Sequence, residues 1–516
     1  MNDDTTLVER LTNALVRCPS VVGTQGEVTV MGVVDAALRE LTAVRDGHVR
    51  IYRIPCERDG VGRFTLVAHL PGHSPTAVLL FGHTDTVGIR DYGSLEALAF
   101  EPDRLTAEIA QGVLGNDLAR RARTGLWQFG RGILDMKAGV AASMAAFDAL
   151  TTAPPNCHIF WAVTPDEEVG SVGVQALIPW LQTVLSAERL RLVGTINADF
   201  VTIRDGVIPW YLGSLGKLLG GVYVQGEPSH VGEPTEGIDP NWILAHITRA
   251  IVYNRDLGEE SPDESTPLPV SLRQRDHKDV YDVQTAPSAS AFYNLFSMNK
   301  APHKVLSSLR MVVEEAVRGL TNESLGLGDN SIPVWTFAEL WSQVDSSEQA
   351  GIIEASIAVS DLRDRSLALI TRAARHVKRG PLVVVFFATG LIPSVSSEPH
   401  LNSLLTQVIA DLPQQSDPIC LRQFYPYISD LSFLAPAPSW WNDSVFTANF
   451  PPTRARLVPT IKSKPVTDWV SMIGAAGRGG HRADEGIYCP YTYRVLPVAL
   501  EMVTRAMATR EVPTLP

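Results

Sequence analysis

At 516 residues the chain is long enough for roughly two to four compact units, and 45% hydrophobic with 19% charged residues excludes a disordered polymer. Lys and Arg number 44 against 56 Asp and Glu, a net charge of -12 with no dense basic run. That balance excludes nucleic acid as a partner, because backbone phosphates call for clustered cations. Five scattered cysteines, Cys18, Cys56, Cys157, Cys420 and Cys489, have no thiolate-site spacing and fit a reducing compartment. The opening Met-Asn-Asp-Asp is unlike a secretory signal. The longest apolar runs, Ala138 to Ala146 and Leu382 to Ala388, fall short of the ~20 residues that cross a bilayer. The expectation is a cytoplasmic protein with no membrane partner.

In chain order, the apolar spacing predicts helices over 7–16 and 27–43, with Pro19, Gly23 and Gly26 marking a turn between them. Strands follow at Phe64 to Leu70, Ala77 to Phe81, His158 to Val163 and Leu192 to Ile196, with an Ala-rich helix over 136–150. Strands alternating with helices imply an α/β sheet with parallel members. After Gly213-Ser214-Leu215-Gly216 the pattern changes to a strand at Leu218 to Val224, a helix over 240–254, a loop-rich acidic stretch over 255–287, a strand over 290–297 and a helix over 302–319. This reads as a smaller inserted α+β domain. From about 346 a helix near 360–378, the apolar strand 382–387 and a helix near 495–509 read as a return to the first domain. The expected boundaries are therefore 1–216 and 346–516 for the two parts of a catalytic domain, and 217–345 for the insertion.

Chemistry-bearing residues gather where buried strands end. Val78-Leu79-Leu80-Phe81-Gly82-His83-Thr84-Asp85 finishes in a His and an Asp two residues apart, so Asp85 can orient a metal-binding His83 through its second ring nitrogen. Asp135, in Gly130-Arg131-Gly132-Ile133-Leu134-Asp135-Met136-Lys137, reads either as a helix cap or as a carboxylate whose two oxygens bridge two cations. Asp166-Glu167-Glu168 follows the strand 158–163, and three consecutive acids repel unless cations or solvent relieve them. One Glu can then bind metal while its neighbour serves as general base. A fourth strand ends in Asp199, and His481 is exposed by the loop Gly477-Arg478-Gly479-Gly480. His, Asp, Glu, Asp and His together form the nitrogen and oxygen donor set of zinc, cobalt or manganese rather than calcium.

In their order and spacing, these residues resemble the co-catalytic zinc peptidases of clan MH, which include aminoacylase, acetylornithine deacetylase, succinyl-diaminopimelate desuccinylase and glutamate carboxypeptidase. Phe424-Tyr425-Pro426, Ser429-Asp430 and the tail Glu485 to Tyr491 look most like the RocB-like arginine-utilisation branch. The resemblance implies an α/β fold whose phosphorylase/hydrolase-like catalytic domain has a mixed sheet flanked by helices, with an inserted lid and dimerisation domain, and hence a homodimer. It implies two divalent ions, Zn2+ with Co2+ or Mn2+ as alternatives. Asp135 would bridge them, His83 and Asp199 would complete one site, and Glu168 and His481 the other. It further implies Glu167 as general base and proton donor, Asp85 as the partner of His83, a cis peptide after Asp135, and His230 reaching across the dimer to the oxyanion or substrate carboxylate. Arg273, Arg275 and Asn294 are candidates to clamp that carboxylate. The loop before His481 lacks the proline of many relatives, and the insertion is longer than usual. The implied activity is hydrolysis of an amide bond in a small carboxylate-bearing substrate, an N-acyl amino acid or dipeptide, through a hydroxide held between two zinc ions. Two rivals are an inactive metal-binding scaffold and a two-metal phosphoesterase, for which Arg131, Lys137 and Arg482 are the cations available to hold phosphate.

Overall fold

The computed structural model describes residues 6–509 apart from 58, 324–331, 360, 378–379, 399–400, 414–416, 436–442 and 456–464. The described residues within Met1–Ser214, Val395–Pro436 and Ser463–Pro516 form one compact unit, and those within Leu215–Ser394 and Ala437–Lys462 form another.

The first unit is built on an eight-stranded mixed sheet. Its order is Arg50–Pro55, Phe64–Leu70, His158–Thr164, Thr76–His83, Arg191–Asn197, Val470–Met472, Ile208–Tyr211 and Ile419–Arg422. Thr76–His83 runs parallel to both of its neighbours, and Arg191–Asn197 runs parallel to Val470–Met472. These inner strands are buried from end to end, as expected where both faces of a parallel sheet are covered. Leu7–Val16 and Leu496–Thr509 pack on the Ala-rich helix Ala138–Thr152, whose small side chains allow close approach. Thr6 caps the first helix by accepting the Glu9 N–H at 3.1 Å. Parallel neighbours share a direction, so His83, Thr164 and Asn197 all finish at one edge of the sheet.

The second unit holds a five-stranded sheet in the order Val270–Asp276, Ser288–Ser297, Gly216–Gln225, Leu382–Phe387 and Val334–Thr336. This corrects the expected return to the first domain at 346, which falls at 395 instead. The reason lies in the strand Leu382–Phe387, which pairs antiparallel with Gly216–Gln225. Val383, Val385 and Phe387 join a core with Leu309 and Ile243, while Leu382, Val384 and Phe386 join another with Leu369 and Ala373. A strand apolar at every position needs cover on both faces, and the helices Pro302–Glu323 and Leu362–Val377 supply it here. Phe446 and Phe450 also belong to this unit's core. The stretch 255–287, read as loop-rich, contains the edge strand Val270–Asp276. Among the described residues no helix is long and apolar enough to cross a membrane.

Two imidazoles, one buried and one half-buried, tie stability to pH. His69 is fully buried and its Nε2 lies 2.9 Å from His158 Nδ1. Burial, then the neighbouring His158, holds His69 down to about 4, and burial holds His277 of the second unit at about 4. Both are depressed below the ordinary value of 6.5, so their contribution is complete above that pH and is lost as pH falls from 6.5 towards 4. His69→Phe, which keeps the ring stacked on Phe160, is expected to lose less Tm than the parent between about pH 7 and about pH 5 by calorimetry. An unchanged pH slope would remove His69 from the account.

Candidate metal centre

All five expected ligand residues meet at the edge of the first sheet. Thr76–His83 delivers His83 as its last residue, the turn after His158–Thr164 delivers Glu167 and Glu168, and Arg191–Asn197 leads two residues on to Asp199. Asp135 precedes the helix Ala138–Thr152 in extended backbone, with a cis peptide to Met136. It is therefore not the cap of that helix, whose N-terminus has no side-chain cap. His481 occupies a left-handed conformation, φ 63°, in a turn reached through Gly479 and Gly480. Close backbone approach positions Asp199, because a Cβ at Gly474 would collide with its carbonyl oxygen.

The distances define two groups sharing Asp135. His83 Nε2 lies 3.2 Å from Asp135 Oδ1, and His481 Nε2 lies 3.0 Å from Asp135 Oδ2, so the two carboxylate oxygens face different imidazoles. His481 Nε2 is also 2.9 Å from Glu168 Oε1. His83, Asp135 and Asp199 each bring one ligand atom within 4.8 Å of the others, as do Asp135, Glu168 and His481. Asp85 Oδ1 stands 3.4 Å from His83 Nδ1, and its Oδ2 accepts the Glu168 N–H at 3.1 Å. One carboxylate therefore supports residues of both groups. Glu167 belongs to neither trio, and its Oε2 is 4.0 Å from His83 Nε2.

The charge balance fits cations. Asp85, Asp135 and Asp199 are buried, and the side chains of Glu167 and Glu168 are 15% and 5% exposed. Burial, then neighbouring charges that include Asp430, pushes Glu167 well above its ordinary range. Burial and Asp135 do the same to Asp199, and raise Glu168. Burial would lower His83, but the adjacent Asp135 and Asp85 carboxylates outweigh it and hold the imidazole well up. Likewise Asp135 and Glu168 push His481 up to about 11. Burial opposes ionisation of Asp135, yet the two imidazoles keep it below the usual carboxylate range. Protons are drawn to this buried excess of negative charge, and divalent cations relieve the same excess. Neither nitrogen of His83 has a well-aligned hydrogen-bond partner despite these close oxygens. The imidazole nitrogens and carboxylate oxygens gathered here are the donor set of a borderline metal ion.

Three residues support the centre, of which the sequence reading had given a part only to Arg131, as a candidate phosphate-holding cation. Glu485, in the turn that carries His481, accepts the N–H groups of Leu134 and Asp135 at 3.1 and 3.2 Å. Its other oxygen pairs with Arg131 Nη1 at 2.7 Å, and Arg131 in turn holds Asp91. This buried pair ties the His481 turn to the Asp135 segment. Arg63 acts on the other side, binding Asp166 at 2.6 Å, Asp59 at 2.9 Å and Glu27 at 3.1 Å. Asp166, at φ 65°, is thereby turned away while Glu167 and Glu168 enter the centre. The acidic run was a signal that charge must be relieved, but nothing local in the sequence shows which acid turns to an arginine 103 residues away.

The remaining expected residues lie elsewhere. His230 belongs to the second unit, is exposed, and accepts the Gly232 N–H at 3.1 Å. Arg273 and Arg275 both pair with Asp364, and Asn294 Oδ1 is buried without a partner. Another trio, His69, His158 and Glu188, meets the same 4.8 Å limit. Its two imidazoles bond one another, however, and Glu188 pairs with Arg50.

The chain belongs to peptidase family M20/M25/M40, whose model matches residues 79–440. It is a metal-dependent hydrolase of amide bonds. It is 30% identical over 539 residues to Protein RocB of Bacillus subtilis (strain 168), spanning 96% of this chain and 94% of that protein. A succinyl-diaminopimelate desuccinylase of Cereibacter sphaeroides is 31% identical over 260 residues, covering 50% of this chain and 59% of that protein. The fold matches the M20 family metallo-carboxypeptidase Sso-CP2 of Sulfolobus solfataricus with a TM-score of 0.55, at 12% identity, over 98% of this chain and 100% of that one.

Glu485→Ala should weaken zinc binding by about 10–100-fold in a competitive chelator titration, since it frees both backbone segments that carry ligands. Glu485→Gln, which keeps the acceptor oxygen, should recover part of that loss. Equal affinities in all three proteins would show that this contact does not position the centre.

Proposed function

We propose that the chain hydrolyses the amide bond of a small carboxylate-bearing substrate, an N-acyl amino acid or dipeptide, at a centre holding two divalent ions, zinc in preference to cobalt or manganese. The observation that carries this reading is the shared Asp135, with one oxygen facing the His83 and Asp199 group and the other the His481 and Glu168 group. When bound, such ions supply Lewis-acid polarisation of a carbonyl and a lowered pKa for water.

The chain's own residues perform the remaining work. Glu167 is outside both ligand trios yet beside them, so its carboxylate oxygen is free to take a proton from water and return it to the departing amide nitrogen. Asp85 fixes His83 by facing its Nδ1 and leaves Nε2 for the centre. The family resemblance assigns His230 to the oxyanion or substrate carboxylate, and its exposed imidazole is compatible with that part.

The three cations that the sequence offers a phosphoesterase are already engaged. Arg131 is buried against Glu485 and Asp91, Lys137 is buried with its Nζ on the Cys18 carbonyl at 2.9 Å, and Arg482 pairs with Asp484 at 2.9 Å. An inert scaffold would have no use for Glu167. Glu167→Gln is expected to keep two equivalents of metal by elemental analysis while lowering kcat on N-acyl amino acids by about 10²–10⁴-fold. Hydrolysis of phosphate esters alone by the parent protein, or undiminished kcat in the variant, would overturn the reading.

The same reading includes a homodimer formed through the second unit. Leu272, on its edge strand, and Val280, Tyr281 and Val283 are exposed apolar side chains there, and Val283 O accepts the Val231 N–H next to His230. Tyr281→Asp with Val283→Asp should shift the sedimentation coefficient from dimer to monomer, and a monomeric parent would refute it.

A further inference from the structure

Two stretches that supply residues to the centre continue into the wall of a neighbouring cavity of about 700 Å³ within the first unit. Asp199 and Phe200 lead into Thr202 to Asp205, while Arg478 to Gly480 precede His481, and both stretches line the cavity. A smaller cavity of about 380 Å³ lined by His481 shares Leu118, Arg482 and Asp484 with it. The larger space therefore adjoins the reaction centre.

Its lining is rich in arginine. Arg121, Arg204, Arg478 and Arg482 come respectively from the helix Asn116–Arg123, the turn at 204–207, the end of the strand Ala476–Arg478 and the His481 turn. Arg482 is paired with Asp484, but Arg121, Arg204 and Arg478 make no ion pair among the described residues. Arg121 is steadied instead by the Trp127 ring at 5.3 Å. Burial, then the nearby Arg478 charge, lowers its guanidinium below the ordinary value, and Asp117 and Asp484 only partly oppose this. Of the other acids on this wall, Asp117 is taken by Arg120, while Asp205 is exposed, as is Arg204 beside it. Tyr427 adds a hydroxyl 3.2 Å from Thr202 Oγ1. Three unpaired guanidiniums around a concavity, in a chain of net charge -12, concentrate anions at one place on a surface of the opposite overall sign. A planar guanidinium presents paired donors that match a carboxylate.

We infer that this arginine-lined cavity is a substrate subsite for a second carboxylate, so that the preferred substrates carry an acidic group beyond the one next to the scissile amide. The inference rests on the amide-hydrolase reading for its catalytic consequence, though the anion site itself does not. A ligand seated there meets Arg204 and Arg478 on its charged end, with Tyr427 beside it as a neutral hydrogen-bonding group. Apolar and cationic substrate ends gain nothing from this wall.

The test compares substrate pairs that differ by one terminal carboxylate, N-succinyl with N-acetyl amino acids and N-acyl aspartate with N-acyl asparagine, on the metal-loaded full chain. The parent should favour the acidic member of at least one pair by about tenfold in kcat/KM. Arg478→Ala and Arg204→Ala should move that ratio towards parity, and Arg478→Lys should recover part of it. In parallel, calorimetric titration with succinate and butyrate should show tighter binding of succinate, with that advantage lost in Arg478→Ala. Hydrolysis without any acidic preference, or a preference that survives both alanine variants, overturns the subsite and leaves the amidase reading intact. Arg478-dependent succinate binding without hydrolysis of any amide overturns the amidase reading and keeps the subsite. Succinate binding that is indifferent to Arg478 also overturns the subsite.

Discussion

The constraint on which this structure turns is the burial of carboxylates at a single point. Asp85, Asp135, Glu167, Glu168 and Asp199 converge with only His83 and His481 to answer them, and like charges held out of water are costly unless positive charge joins them. The raised carboxyls and raised imidazoles are two faces of that imbalance. An assembly of this kind is costly unless protons or cations join it. Membership of a metal-dependent hydrolase family and the local electrostatics therefore lead to the same place.

Holding such a cluster together requires opposing charge at a distance from the reacting space. Arg63 takes the first acid of the Asp166-Glu167-Glu168 run out of the centre, and Arg131 takes Glu485, which in turn grips the backbone at Asp135. Both arginines are nearly buried and spent on carboxylates. That division of labour separates cations that hold the scaffold from the unpaired arginines near Tyr427, which remain available to a ligand.

Much of the fold was legible because the inner strands are apolar from end to end and the helices keep a clear apolar period. The helix Leu7–Val16 and the strands Phe64–Leu70 and Leu382–Phe387 fall where the residue pattern places them. The partner of a strand was not legible. Leu382–Phe387 has the composition of any fully buried strand, and only its ladder with Gly216–Gln225 assigns it to the second unit. The edge strand Val270–Asp276, in which Val270 and Leu272 are the apolar residues, gave too little apolar signal to stand out from its loop-like surroundings.

The amino-acid sequence alone determined the chemistry available here: which donors exist, that they sit at strand ends or in glycine-rich turns, and that an acid triplet needs relief. Those properties are local, since side-chain type and strand termination depend on near neighbours in the chain. Only the tertiary structure decided which acid faces Arg63, that Glu485 grips Asp135 across 350 residues, and that Arg131 is buried in an ion pair and closed to a substrate phosphate. Those pairings depend on distances between segments far apart in the chain, and such distances are set by sheet order and packing.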